Sequence, residues 1–203
     1  MFRKDWEFES LRRHNCMWNA LAPIYDQIIG RPLNNDIAVI KQVINWKKSD
    51  VVLDLGGGTG RVAQQLQPLV GKIIVADPAE KMLARAKRKG LQTQLLSSVT
   101  LPFPDQTFDV VTMIETFHHF KQQAGSLKEC NRVLKLGGVL LIEEPNPASF
   151  LKHFLWVERL FDTVTYHTPT ELKTLLQSTG FTVTKEQTDR LMYFTVANAI
   201  IFE

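Results

Sequence analysis

Residues 51–60, Val-Val-Leu-Asp-Leu-Gly-Gly-Gly-Thr-Gly, constrain the fold more than any other stretch of the chain. A run suited to a buried strand ends in a carboxylate and a glycine-rich turn, and a helical pattern starts at Arg61. Glycine in such a turn permits positive φ and lets a ligand approach the backbone closely. The free N–H groups of a helix start suit an anionic or carboxylate group. Ligands of open α/β sheets sit at the carboxyl ends of the strands. Gly56, Gly58 and Gly60 read G-x-G-x-G, which misses the spacing of the dinucleotide fingerprint, and no Gly-Lys-Ser/Thr follows to make a P-loop. Asp54, just below the loop, would repel a pyrophosphate and can hold an ammonium group. The expected ligand therefore has an amino-acid end.

The rest of the chain alternates between two periods. Strands are expected at 72–76, 91–96, 108–114 and 138–143, with helices at 61–69, 79–89 and 122–134 between them. Short apolar strands alternating with amphipathic helices imply a parallel sheet covered on both faces. A helix at 170–179 stops at Gly180, and strands at 181–187 and 192–202 follow. The turn Thr188-Asp189-Arg190 is too short for a parallel crossover, so these two strands pair as a hairpin and the sheet is mixed. Upstream, Ile37, Ile40 and Ile44 recur at helical spacing behind the capping candidates Asn34, Asn35 and Asp36. The chain reads as one domain over 1–203, with a helical cap at 1–32 and an apolar, aromatic insertion at 145–168 that suits a lid over a substrate pocket or a packed edge.

Several function classes are disfavoured. The formal net charge of +3 demands no polyanionic partner, and the basic run Lys81, Arg85, Lys87, Arg88 and Lys89 reads as a solvated helix face. No nucleic-acid partner is expected. Cys16 and Cys130 have no metal-ligand spacing, so no metal site is expected, and unpaired thiols suit a reducing cytoplasm. No stretch has the apolar length of a membrane span, and the first ten residues hold no apolar core of signal-peptide length. Asp77 closes the second strand, where an acid can take both hydroxyls of a ribose.

The runs VLDLGGGTGRVA, VADPAEKML, LPFPDQTFDVV and RVLKLGGVLLIEE together resemble the class I S-adenosylmethionine-dependent methyltransferases. Within these, the chain is similar to the type 11 group that includes the ubiquinone and menaquinone biosynthesis methyltransferases. The segment from Trp18 to Asp26 resembles their A-x-x-Y-D signature. The resemblance covers about residues 18–185. It implies a Rossmann-like α/β fold with a seven-stranded mixed sheet in the order 3-2-1-4-5-7-6, strand seven antiparallel and helices on both faces. It implies S-adenosyl-L-methionine as cofactor and S-adenosyl-L-homocysteine as product. Gly56, Gly58 and Gly60 would pack under the methionine part and Asp54 would lie near its amino group. Asp77 would bind the ribose, Pro78 and Met82 would line the adenine side, Tyr25 would close over the methionine end, and Ile114 and Glu115 would border the sulfonium. Where relatives often carry an adenine-binding Asp, this chain has Ser97, followed by Ser98 and Val99. A serine hydroxyl can accept a hydrogen bond but brings no charge to it.

The substrate implied is a small, apolar or aromatic molecule, attacked by in-line displacement, and the protein would act as a monomer or homodimer. A general base is required only if the nucleophile must lose a proton. His118 and His119, after the fourth strand, and Tyr166, after the insertion, stand in suitable places. The alternative is that one histidine packs in the core and the other caps a helix. A cofactor-binding protein without turnover stays open at this point.

Overall fold

In the computed structural model the described residues are 17–28, 34–96, 100–147, 164–188 and 191–200. Helix α1 is Tyr25–Ile28 and α2 is Asn34–Val43. The alternating part follows as β1 (Val51–Leu55), α3 (Arg61–Leu66), β2 (Lys72–Asp77), α4 (Glu80–Arg88), β3 (Gln92–Leu95), β4 (Phe108–Ile114), α5 (Gln123–Val133) and β5 (Leu134–Pro145). Helix α6 (Pro169–Ser178) leads into β6 (Phe181–Thr188) and β7 (Met192–Ala199). The strands form a seven-stranded sheet in the order β3-β2-β1-β4-β5-β7-β6. Strands β1 to β5 are parallel neighbours, while β7 runs antiparallel to both β5 and β6. The expected topology and its hairpin are therefore present.

The period of two decides which residues meet which layer. Val52, Val75, Val110 and Leu141 face one core, where Ile40 of α2, Leu66 of α3 and Leu83 of α4 pack against them. Leu53, Val111, Leu140 and Ile142 face the other, against Leu127 of α5 and Leu172 and Leu176 of α6. Strands buried on both faces need no polar alternation, which is why β1 and β4 read as nearly continuous apolar runs. Ile40 is fully buried and Ile37, Val43 and Ile44 nearly so, as their helical spacing required. The side chains of the cap candidates Asn34, Asn35 and Asp36 fall outside the description, as do most of the expected cap at 1–32 and residues 148–163 of the expected lid.

Boundaries differ where local chemistry overrides periodicity. The helix expected over 61–69 gives way to a 3-10 turn at Gln67–Leu69, because Pro68 supplies no N–H. Strand β5 begins at Leu134, not 138, directly after α5. Leu134 pairs with Phe108, the register shifts, and pairing resumes with Val110 opposite Val139. Gly137, at φ +68, carries the strand through this irregularity in a conformation most side chains avoid.

Helix α6 is anchored by a capping box. The Thr168 hydroxyl accepts from the Glu171 N–H at 3.3 Å, and the Glu171 carboxylate accepts from the Thr168 N–H at 2.8 Å. Pro169 at the first helical position removes a donor that would have no partner. Replacing Thr168 with Ala is expected to lower stability by about 1 kcal/mol, read as a reduced urea midpoint at unchanged slope.

Candidate functional site

Strand register creates the site. Asp54 lies opposite Thr112 in the parallel pairing of β1 with β4. The Thr112 hydroxyl donates to Asp54 Oδ1 at 2.9 Å. Asp54 is 1% exposed, and its Oδ2 has no hydrogen-bond partner among the described residues. Burial pushes its pKa up to about 6, against the opposing effect of the Thr112 hydrogen bond. A buried oxygen of this kind calls for a hydrogen-bond donor, and a cationic one interacts most strongly. A side chain at position 57 would collide with the Asp54 carboxylate, so Gly57 keeps that space open.

The glycine loop shapes the cavity more than it donates to it. The Gly56 N–H bonds to the Ala76 carbonyl at 2.7 Å, and that of Gly60 to the Gly57 carbonyl at 2.8 Å. The Gly58 N–H donates to Asp77 Oδ2 at 3.0 Å. The expectation of free amides for an anion is thus corrected at these three positions: the turn closes on itself and on β2. Gly60 at φ +72 sits against Ala86 and Leu91, where a side chain would strike the α4–β3 corner. Asp77, at the end of β2, also accepts from the Ala79 N–H at 2.7 Å, so one carboxylate ties the glycine loop to the start of α4.

The cavity above this loop is lined by Tyr25, Asp54, Arg61, Ile114 and Glu115 together with residues 56–59 and Val62. Arg61 Nη2 is 3.1 Å from Glu115 Oε2, while its Nη1 is buried with no hydrogen-bond partner among the described residues. Glu115 has φ +51, a left-handed conformation that is uncommon for a residue with a side chain. Burial, with Glu115 nearby, holds the Tyr25 phenol well above its ordinary pKa, so it stays protonated. The arrangement sets an orphaned acid oxygen and an orphaned guanidinium nitrogen in one cavity. That donor set matches the ammonium and carboxylate of an α-amino acid.

The segment 17–28 is pinned over this region. Asp26 accepts from the Thr59 hydroxyl at 2.5 Å and pairs with Lys89 Nζ at 2.8 Å and Arg85 at 3.8 Å. Burial would raise the Asp26 pKa, but its bonds to Lys89 and Thr59 outweigh that and lower it. Arg85 and Lys89 are therefore not the freely solvated cations expected from the sequence. Asn19 Oδ1 accepts from the Lys81 N–H at 2.8 Å at the start of α4. Met82 is buried with Ala22 and Ala79, flanked by Trp18 and Tyr25. Asp77, Pro78 and Met82 thus lie beside the cavity but outside its lining, whereas Ser97, Ser98 and Val99 lie outside the described residues.

His118 and His119 sit in a 3-10 turn, Phe117–His119, beyond β4. His118 is 3% exposed, with its Nδ1 2.7 Å from Glu144 Oε2. Tyr166 stacks on the His118 ring at 4.6 Å. Cys130 is buried, which pushes its thiol up to about 12 and leaves it unreactive. Among the described residues no His, Cys, Asp and Glu cluster could hold a metal, and no helix is long and apolar enough to cross a membrane. Sequence reasoning gave no site role to Arg61, Thr112, Asp26 and Glu144, although Asp26 closes the A-x-x-Y-D segment and Arg61 directly follows the glycine run.

Residues 53–142 match the family model described as "Methyltransferase domain". The demethylmenaquinone methyltransferase of Thermus thermophilus is 34% identical over 149 residues, which span 64% of this chain and 65% of that protein. The match to two further curated relatives spans 52% and 43% of their lengths, so the chain accounts for under two thirds of each. Among solved structures, an S-adenosylmethionine-dependent methyltransferase of Thermotoga maritima, a possible histamine N-methyltransferase, superposes with a TM-score of 0.76 at 22% identity. The overlay covers 94% of this chain and 99% of that one. The [4+2]-cyclase SpnF gives a TM-score of 0.79 at 14% identity, covering 95% of this chain and 98% of that one. These two likenesses concern the fold alone.

The raised Asp54 pKa has a thermodynamic consequence. The folded protein holds this proton more tightly than the unfolded chain. The stabilisation is complete below the unfolded value of 3.8 and is lost as pH rises through about 6. Replacing Asp54 with Asn is accordingly expected to raise the Tm of the ligand-free protein at pH 8, by roughly 1–3 kcal/mol of stability. The gain should shrink as pH falls below about 6, which calorimetric melts across pH would display.

Proposed function

We propose that this chain is a class I S-adenosylmethionine-dependent methyltransferase of the type 11 group, and that it transfers a methyl group to a small, flat, apolar or aromatic acceptor of the quinol kind. The observation that carries the reading is the buried Asp54 Oδ2 in the same cavity as Arg61 Nη1, both without a hydrogen-bond partner among the described residues. Asp54 takes the α-ammonium of the cofactor and Arg61 takes its α-carboxylate. Asp77 receives the ribose hydroxyls while keeping its bonds to Gly58 and Ala79. Pro78 and Met82 support the adenine side, with Ser97, Ser98 and Val99 at its amino group. Tyr25 covers the methionine end, and Ile114 and Glu115 border the reacting centre.

When bound, the cofactor supplies an activated methyl group with a neutral leaving group, so the protein contributes chiefly alignment, worth roughly 7–11 kcal/mol in favourable cases. The rigid register of β1 against β4 fixes the amino-acid end, and the pinned segment 17–28 restricts water above it. The quinol class is supported by the name of the Thermus thermophilus relative and by the rings of Trp18, His119, His118 and Tyr166 beyond the cavity.

Calorimetry and a transfer assay test this reading together. The protein should bind S-adenosylmethionine but not NAD, and should move a labelled methyl group to chemically reduced naphthoquinones. Arg61→Met should weaken cofactor binding by about 10- to 100-fold, the equivalent of one charge-assisted hydrogen bond. Binding of NAD in place of S-adenosylmethionine would reverse the assignment. Tight cofactor binding with no transfer to any acceptor would favour a protein without turnover.

A further inference from the structure

Five rings run in contact away from the cavity. Tyr25, in the cavity lining, meets Trp18 edge-on with centroids 5.7 Å apart, and Trp18 meets His119 edge-on at 5.4 Å. His119 lies 4.1 Å from His118, on which Tyr166 stacks at 4.6 Å. The two histidines differ in setting. His118 is nearly inaccessible and bound through Nδ1 to Glu144, whose other oxygen accepts from the Phe117 N–H at 2.9 Å. His119 is half-buried, lies between Trp18 and His118 in this series and interacts electrostatically with the Glu144 carboxylate. Glu144 itself is 2% exposed on β5. The two imidazoles meet at a 44° tilt, and burial pushes the Glu144 pKa up to about 8, so its negative charge, once formed, favours a proton on the more accessible ring.

We infer that His119 accepts the hydroxyl proton of an aromatic acceptor, with His118 and Glu144 as positioning residues that hold its ring and stabilise its protonated form. This rests on the methyl-transfer reading and adds the residue that takes the acceptor's hydroxyl proton. In the step, the O–H bond breaks toward a His119 ring nitrogen and its electron pair stays on the acceptor. That pair bonds the methyl carbon from oxygen, or through the ring from the adjacent carbon. The sulfur keeps the pair of the bond it loses and becomes neutral. If carbon is the nucleophile, its ring hydrogen shifts to the oxygen, so one proton in all reaches His119, which passes it to water.

Two measurements decide the matter. The first is nitrogen-15 NMR of the histidine rings in the full chain loaded with S-adenosylhomocysteine. Addition of 1-naphthol should shift the His119 ring nitrogens more than those of His118. The second is labelled methyl transfer to 1,4-naphthalenediol across pH. His119→Gln and His119→Asn should lower kcat by about 10²-fold or more, flatten the acidic limb of the profile and leave the KM for S-adenosylmethionine within about twofold. Glu144→Gln and His118→Asn should lower kcat less and displace that limb. A His119 signal indifferent to 1-naphthol overturns the inference, as do His119 variants with the kcat and pH profile of the parent. Failure of the parent protein to bind S-adenosylhomocysteine would instead overturn the methyltransferase reading.

Discussion

One pairing in the middle of the sheet governs the rest: Asp54 of β1 set against Thr112 of β4. Both side chains are buried, so the groups packed around them largely decide their hydrogen bonding. Thr112 satisfies one carboxylate oxygen, and the other has no hydrogen-bond partner among the described residues. Such a group destabilises the empty protein, and a ligand cation removes the penalty. Strain of this kind persists only where neighbouring structure enforces it. Here the enforcement comes from the parallel ladder on either side and from apolar layers on both faces.

The surrounding features converge on the same point. Gly57 lacks a side chain because the Asp54 carboxylate occupies that space, and Gly56 lacks one because Thr116 approaches from the turn after β4. Asp77 holds the loop from the β2 side, and Asp26 holds it through Thr59 from segment 17–28. Glu115, in a left-handed conformation, is paired to Arg61. The cavity is therefore bounded by acids whose hydrogen bonds are already partly used. This favours a zwitterion over a simple anion, since an ammonium group can donate to Asp54 while a carboxylate accepts from Arg61.

The fold was legible because each element depends on local rules. Nearly continuous apolar runs mark the central strands, Pro68 and Gly180 stop helices, and a short polar turn forces the final hairpin. The first segment of β5 was not legible, because Leu134 is a strand residue only through its partner Phe108. The same contrast holds in the site. Asp54 and the glycines announce themselves in one continuous run. Thr112, Asp26 and Glu144 gain their roles from partners 58, 33 and 26 residues away, and of these only Asp26, closing the A-x-x-Y-D segment, is marked in the sequence. Arg61 reads as an ordinary cation in the first turn of a helix. Only its ion pair and its unpartnered nitrogen distinguish it.

The account stands on recognition of an amino-acid end by a buried acid and a neighbouring guanidinium. The most direct test is titration calorimetry with two nucleosides that differ in that end alone, S-adenosylhomocysteine and 5′-methylthioadenosine. Loss of the α-ammonium and α-carboxylate removes two charge-assisted contacts, so the second compound should bind at least about 100-fold more weakly. Equal affinities would contradict the account, because the Asp54 and Arg61 pocket would then contribute nothing to binding.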